Sequence, residues 1–278
     1  MLLPVRNRRS GLLKSILAGW LRRQTPGYET QQEIRDLKLQ IVVEQSRANV
    51  LEMIAQFRDT DVRRRAILLS EFFRSQRGQD LFALVANNFQ SERFYVEVGA
   101  AHGEVLSNTW MLEHSFDWKG LLVEPSPQWD ESLAAREGQR DMRAVTGSGG
   151  PQTVEFEMDG FSTSISLEKC RDSDLPKAGI VTRDAVPLGE LLKESGCPQR
   201  IDFLSIDIEG SEWEALTSVD FDLFSFGAIA IEHNWGSHQS EITSLLEGKG
   251  YAQVLGKLSV QDSWFVPLDT PLERFETI

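Results

Sequence analysis

The 278 residues are 41% hydrophobic and 26% charged, the composition of a soluble globular protein with room for one catalytic domain and an appendage. The formal charge of −13 is split unevenly: residues 1–90 hold 15 basic and 9 acidic side chains, a balance of +6, and residues 91–278 hold 14 and 33, a balance of −19. A nucleic-acid enzyme surrounds its substrate channel with basic side chains, so DNA and RNA are excluded as expected partners, and no apolar run approaches the roughly 18 residues a membrane span needs.

The N-terminus shows no secretory signal, and Cys170 and Cys197 have neither metal-ligand nor disulfide-framework spacing, so a reducing cytoplasm is the expected location. Leu13, Ile16, Leu17, Trp20 and Leu21 put one apolar stripe on a helix predicted over 12–21. Arg6, Arg8, Arg9, Lys14, Arg22 and Arg23 flank it, with no acid before Glu29. Pro26 and Gly27 break the pattern. A second helix is predicted from about Thr30 to Phe57, with Ile34, Leu37, Ile41, Ala48, Leu51, Ile54 and Ala55 at helical spacing. Further helices are expected from Val62 to Phe73 and from Asp80 to Asn87. Residues 1–70 therefore read as a helical extension with a basic amphipathic start, and residues 71–278 as the catalytic domain.

From Phe94 the texture changes to alternating strands and helices. Strands are predicted at Phe94–Val98, Gly120–Val123, Met142–Val145, Ile201–Ile206 and Ala228–Ile231, with a short β excursion beginning at Thr153–Phe156. Helices are expected from about Gly103 to His114, after Pro125, from Ser211, and from about His238 to Gly248. Tyr251–Leu255 and Ser263–Val266 are two strands on a short link, which can join neighbours only in antiparallel fashion. The fold class expected is α/β: a mostly parallel Rossmann-like sheet with helices on both faces and a C-terminal antiparallel hairpin. Ligands in such sheets sit at the carboxyl ends of the strands.

Four motifs fall on those ends. Val96-Glu97-Val98-Gly99-Ala100-Ala101-His102-Gly103 joins a strand to a predicted helix, where glycine lets the backbone approach a ligand and helix amides are free for a carboxylate. Gly120-Leu121-Leu122-Val123-Glu124-Pro125 puts an acid at the tip of the second strand, placed to grip both hydroxyls of an adenosine ribose. Dinucleotide enzymes share both features, so the pair does not separate NAD from S-adenosylmethionine. Asp202 to Trp213 carries Asp207 and Glu209 out of an apolar strand, before a helix opened by Ser211 and Glu214 in capping-box spacing. There Glu212 and Glu214 are accounted for by the helix dipole. Ile229-Ala230-Ile231-Glu232-His233-Asn234 adds a further carboxylate and, in His233, the best general-base candidate of the four histidines.

The run Ser75-Gln76-Arg77-Gly78-Gln79-Asp80-Leu81-Phe82 resembles the SQ-x-G-(E/Q)-D-L-F lead-in of FkbM-type methyltransferases. Phe94–Gly103, Ser107-Asn108-Thr109 with Leu112-Glu113, Trp118–Pro125, Phe203–Leu216, Glu232-His233-Asn234 and Asp262–Val266 are similar to the later blocks, in matching order. The likeness spans about Ser75 to Pro267 and leaves residues 1–70 without a role. It departs at Glu97, where Asp is also common, and at His102, where another polar residue is frequent.

The resemblance implies methyl transfer from S-adenosylmethionine to an acceptor oxygen, typically a hydroxyl of a sugar, glycan or glycosylated natural product. It implies a donor site formed by Gln79, Asp80, Glu97, Gly99, Ala100, Ala101, Gly103, Asn108, Glu124, Pro125 and Asp207. His233, Glu232, Asp207 and Glu209 are then the catalytic candidates. A hydroxyl acceptor loses its proton as the bond forms, to a base near neutral pKa or under the influence of a metal. His233 is the expected base, with Asp207 and Glu232 as alternative Mg²⁺ ligands. The rival readings are an NAD-dependent oxidoreductase and a catalytically dead methyltransferase-like scaffold. The oxidoreductase wants a Tyr-x-x-x-Lys pair that Tyr28, Tyr95 and Tyr251 do not supply. Residues 1–25 are expected either to lie on an anionic inner membrane face or to dock on the acidic catalytic domain or on a twin in a homo-oligomer.

Overall fold

In the computed structural model the described residues are 28–150, 152–158, 178–233, 236 and 238–278, with side chains described from Leu37 on, except at Lys38, 156–158 and 178–179. The apolar stripe over 12–21 lies outside them, as does Asn234. The chain divides into two units, Met1–Glu44 and Gln45–Ile278.

Helix α1 runs Tyr28–Gln56 and α2 Thr60–Leu69, whose N-cap Asp59 accepts from the amides of Asp61 and Val62. Val50, Met53, Ile54, Phe57, Val62 and Ala66 belong to one buried cluster with Leu81, Phe82 and Trp264. The stretch 50–66 therefore shares its core with the segment that follows residue 70. Helix α3, Gln79–Ala86, is buried on nearly every side, and Phe82 stacks on Trp264 with ring centroids 5.0 Å apart.

The main sheet has seven strands: β1 Phe94–Val98, β2 Lys119–Val123, β3 Gln139–Asp141, β8 Phe203–Ile206, β10 Ile229–Glu232, β11 Tyr251–Val254 and β12 Asp262–Pro267. Their order is β11-β12-β10-β8-β1-β2-β3. Pairings from β10 through β3 are parallel, and β12 is antiparallel to both β10 and β11. The α/β layout and the closing hairpin expected from the sequence are both present. The central strands are apolar on two faces because both are covered. Tyr95, Phe203, Ala230 and Trp264 face one cluster, and Val96, Leu204, Ile229 and Phe265 the other. Helices α1 to α3 and α4 (Trp110–Phe116) contribute to the first cluster. Helices α6 (Leu188–Glu194), α7 (Glu212–Thr217) and α8 (Gln239–Gly248) contribute to the second. Between them, α5 (Asp130–Leu133) places Leu133 in the first cluster.

Three local expectations change. The strand predicted at Met142–Val145 is divided: β3 ends at Asp141, and β4, Ala144–Thr146, joins a separate sheet with β6 (Ala178–Pro187) and β5 (Thr153–Met158) in the order β4-β6-β5. The apolar run Ile201–Ile206 is also shared, since Ile201 pairs in β7 (Arg200–Ile201) with β9 (Ser225–Phe226) and Phe203 begins β8. The helix expected from Gly103 begins only at Trp110. Among the described residues no helix is long and apolar enough to cross a membrane.

Candidate active site

The late start of α4 follows from Glu97. Its buried carboxylate accepts from the Ser107 hydroxyl at 3.2 and 3.1 Å, from the Asn108 amide at 2.7 Å and from the Thr109 hydroxyl. Thr109 stands at the helix N-cap but makes no cap bond with its side chain. Residues 99–109 are thereby held as a loop, and no helix N-terminus follows directly on the glycine turn. Burial pushes the Glu97 pKa up, while Arg136 and the three donors pull it down. Glu97 was expected among the donor contacts; the structure gives its carboxylate to the loop that frames the cleft.

Gly99 also has a reason other than the expected one. Its φ is +87°, and a Cβ there would lie 1.7 Å from the carbonyl oxygen of Asp207. The close approach is that of the chain itself. Gly99 and Ala100 donate to the Val123 carbonyl at 2.9 and 3.1 Å, and Asp207 donates to that of Val98 at 2.9 Å. The exits of β2, β1 and β8 are tied together, so the first three motifs meet at one point.

Glu124 lies at the end of β2 and is buried. Its two oxygens each accept one backbone amide at 2.8 Å, from Ala101 and from Ser126. Burial raises its pKa to about 7 against those two donors. Each oxygen keeps a second lone pair for another donor. Nearby in the chain, Asn108 Oδ1 and Ser126 Oγ are buried without a hydrogen-bond partner among the described residues. The Pro125 carbonyl accepts from Arg183 Nε at 2.8 Å. An orphaned Ser126 Oγ beside a doubly accepting carboxylate, with an orphaned Asn108 Oδ1 in the loop after β1, suits a ligand rich in hydroxyl and amino donors, such as the ribose and methionine parts of S-adenosylmethionine.

The segment around Gln79 and Asp80 crosses this edge. Ser75 bridges to Leu106 in parallel fashion. Asp80 is buried and accepts from the Arg74, Ser75 and Leu81 amides and from the Ser75 hydroxyl. Its carboxylate shapes the turn, and burial pushes its pKa up. Gln79 Nε2 donates to Asp262 Oδ2 at 2.8 Å, and Arg77 Nη2 to Gln261 Oε1 at 2.7 Å. The lead-in thus fastens the loop after β1 to the start of β12. Sequence reasoning missed Asp262 as a site residue, since it was legible only as the first residue of the closing strand.

At the exits of β8 and β10 the carboxylates meet one another. Asp207 and Glu232 are hydrogen-bonded, and burial raises both pKa values; Glu209 and Asp262 raise both further, whereas the shared hydrogen bond lowers Asp207 and raises Glu232. Such a pair holds one proton between two carboxyls. Asp207, Glu209 and Glu232 each offer an oxygen within 4.8 Å of the others, a spacing that suits a hard divalent cation in place of that proton. Glu209 stands at φ +59° and is exposed. The capping box expected from Ser211 and Glu214 is absent. Glu212 instead turns back to accept from the amides of Ile208 and Gly210 at 3.1 and 2.9 Å, bracing the loop that carries Glu209. Burial lowers the His233 pKa, opposed by a hydrogen bond to the Asp262 backbone, and its own amide donates to Gln261 at 2.9 Å. The lowered pKa favours the neutral ring, and one ring nitrogen donates to the Asp262 carbonyl.

Among known protein families, the one described as Methyltransferase FkbM domain matches residues 97–252. Among solved structures, the chain is similar to precorrin-6y C5,15-methyltransferase from Geobacter metallireducens GS-15, at 13% identity over 70% of this chain and 89% of that one, with a TM-score of 0.36. It is also similar to Methyltransferase FkbM from Methylobacillus flagellatus KT, at 11% identity over 79% of this chain and 58% of that one, with a TM-score of 0.38. Neither likeness bears on mechanism at such scores. No curated protein matches the sequence.

Proposed function

We propose, from the premise that this chain belongs to the FkbM methyltransferase family, that it transfers a methyl group from S-adenosylmethionine to a hydroxyl of a sugar or glycan. The observation that supports this most is the convergence of Asp207, Glu209 and Glu232 at the ends of β8 and β10, directly before His233, in the same sheet whose β2 end carries buried Glu124. When bound, S-adenosylmethionine supplies a methyl on a sulfonium that leaves readily. Glu124 takes the ribose hydroxyls, and Asn108 and Ser126 offer further polar contacts. The loop held by Glu97 closes the donor side against water.

On the other side the acceptor hydroxyl points at His233, which removes its proton as the new C–O bond forms. The singly charged Asp207–Glu232 pair attracts the cationic donor. Alignment of acceptor oxygen, methyl and sulfur contributes most of the remaining acceleration. A divalent cation on Asp207, Glu209 and Glu232 is the second reading, which the oxygen spacing favours. Incubation of the full chain with methyl-labelled donor and glycan fractions from its source cells tests the proposal. Label is expected in an alkali-stable methyl ether, at a rate unchanged by EDTA. Label in an ester or on nitrogen overturns hydroxyl transfer, and loss of rate with EDTA that Mg²⁺ restores makes the three acids cation ligands.

A further inference from the structure

We propose that helix α1 pairs with α1 of a second copy of this chain as a parallel, in-register two-stranded coiled coil. The helix is 29 residues long, far beyond what one flank of a domain this size requires. Its C-terminal part turns Ser46, Val50, Met53 and Ile54 inward. A second apolar series, at positions 34, 37, 41, 48, 51 and 55, follows the alternating three- and four-residue spacing of a heptad seam, with Glu44 at the intervening position. Of that series Leu37 is 58% exposed, Ile41 61% and Leu51 53%, and Ala48 and Ala55 are exposed as well. An aliphatic row of this kind on a long helix is stable in water only when it is covered.

The spacing identifies what covers it. With position 34 as a, the a sites read Ile, Ile, Ala, Ala and the d sites Leu, Glu, Leu; Ile at a with Leu at d favours two parallel strands. The flanking charges agree with a partner identical to the helix itself. In a parallel dimer each g residue faces the e residue five positions on in the other chain. The charged g–e pairs are Glu33 with Lys38 and Arg47 with Glu52, opposite in sign both times, and the intervening pair is Gln40 with Gln45. Glu44, at one d site, weakens the seam while discouraging registers that bury it against Leu37 or Leu51.

Sedimentation equilibrium on the full chain tests this. A dimer is expected at micromolar concentration. Leu51→Glu should raise its dissociation constant by roughly tenfold or more, since it puts a charge into the seam. Arg47→Glu should weaken it, and the double variant Arg47→Glu/Glu52→Arg should restore it. Leu51→Cys in a Cys170→Ser/Cys197→Ser background should form a self-disulfide under mild oxidation, as only an in-register parallel pair allows. All substitutions in α1 fall on exposed side chains, and circular dichroism of each variant verifies the fold. A monomer at tens of micromolar, a dimer indifferent to Leu51→Glu and to the charge swap, or one abolished by deleting residues 1–25 alone would overturn the proposal.

Discussion

At the ends of β1 and β2 each buried carboxylate is occupied by donors of the chain itself: Glu97 by Ser107, Asn108 and Thr109, Glu124 by Ala101 and Ser126. At the ends of β8 and β10, Asp207 and Glu232 are bonded to each other, and Glu232 Oε2 has no hydrogen-bond partner among the described residues. Amides and hydroxyls that are fixed before ligand arrives cost no reorganisation, which is what a binding surface for a constant ligand requires. Carboxyls crowded together hold their protons loosely balanced, which suits a surface where charge changes during reaction. Under the proposed function, the first region serves folding and binding, and the second chemistry.

Substitutions on the two sides should part company in what they damage. The largest effect is expected for Glu97→Ala, which leaves two hydroxyls and an amide without their acceptor and deprives buried Arg136 of a neighbouring charge. Chemical denaturation should show a loss of about 3 kcal/mol or more. A loss below about 1 kcal/mol would mean that the loop does not depend on Glu97. Next comes Glu124→Ala, expected to weaken donor binding by about 1.5–3 kcal/mol, the range for a hydrogen bond to a charged group. Calorimetry on the folded variant reads this directly, and unchanged affinity would remove Glu124 from the donor site.

Smaller effects should follow pH. Glu124 and Asp262 are raised to about 7 and about 6, and the Asp207–Glu232 pair is raised as well. The native state thus binds protons that the unfolded chain has released above its ordinary carboxylate pKa near 4. Their contribution is full below that pKa and is lost as pH rises through about 6 and 7. His233 works the other way, since its lowered pKa adds stability as pH climbs through the ordinary histidine range. The carboxylates outnumber it, so unfolding free energy should decline between pH 5 and pH 8. Asp207→Asn with Glu232→Gln should flatten that decline. A parent protein more stable at pH 8 than at pH 5 would contradict the burial of these groups.

The arrangement of the sheet was legible because it rests on period and length: buried apolar runs at Phe94, Gly120 and Ile229, then two strands on a short link. What escaped was set by side chains that reach across loops. Nothing in the spacing after Gly99 tells that Glu97 would hold residues 107–109 out of a helix. Nothing around Ser211 tells that Glu212 would turn back on the Ile208 and Gly210 amides. Gln139–Asp141 does not read as a strand, because all three residues are polar and none is buried at this edge of the sheet. Of the site, the strand-end acids and His233 were readable as residues, and the meeting of the first three motifs at Gly99 came only with the fold. Asp262 was hidden, since its partners Gln79 and Trp264 lie on another element and two residues on.

The division of labour between the two regions is tested most directly on His233→Ala, with donor affinity by calorimetry and methyl transfer by single-turnover kinetics on the same preparation. The account predicts transfer slower by roughly a hundredfold or more with donor affinity near that of the parent. Parent-like transfer, or a loss of donor affinity that accounts for the whole defect, would contradict it.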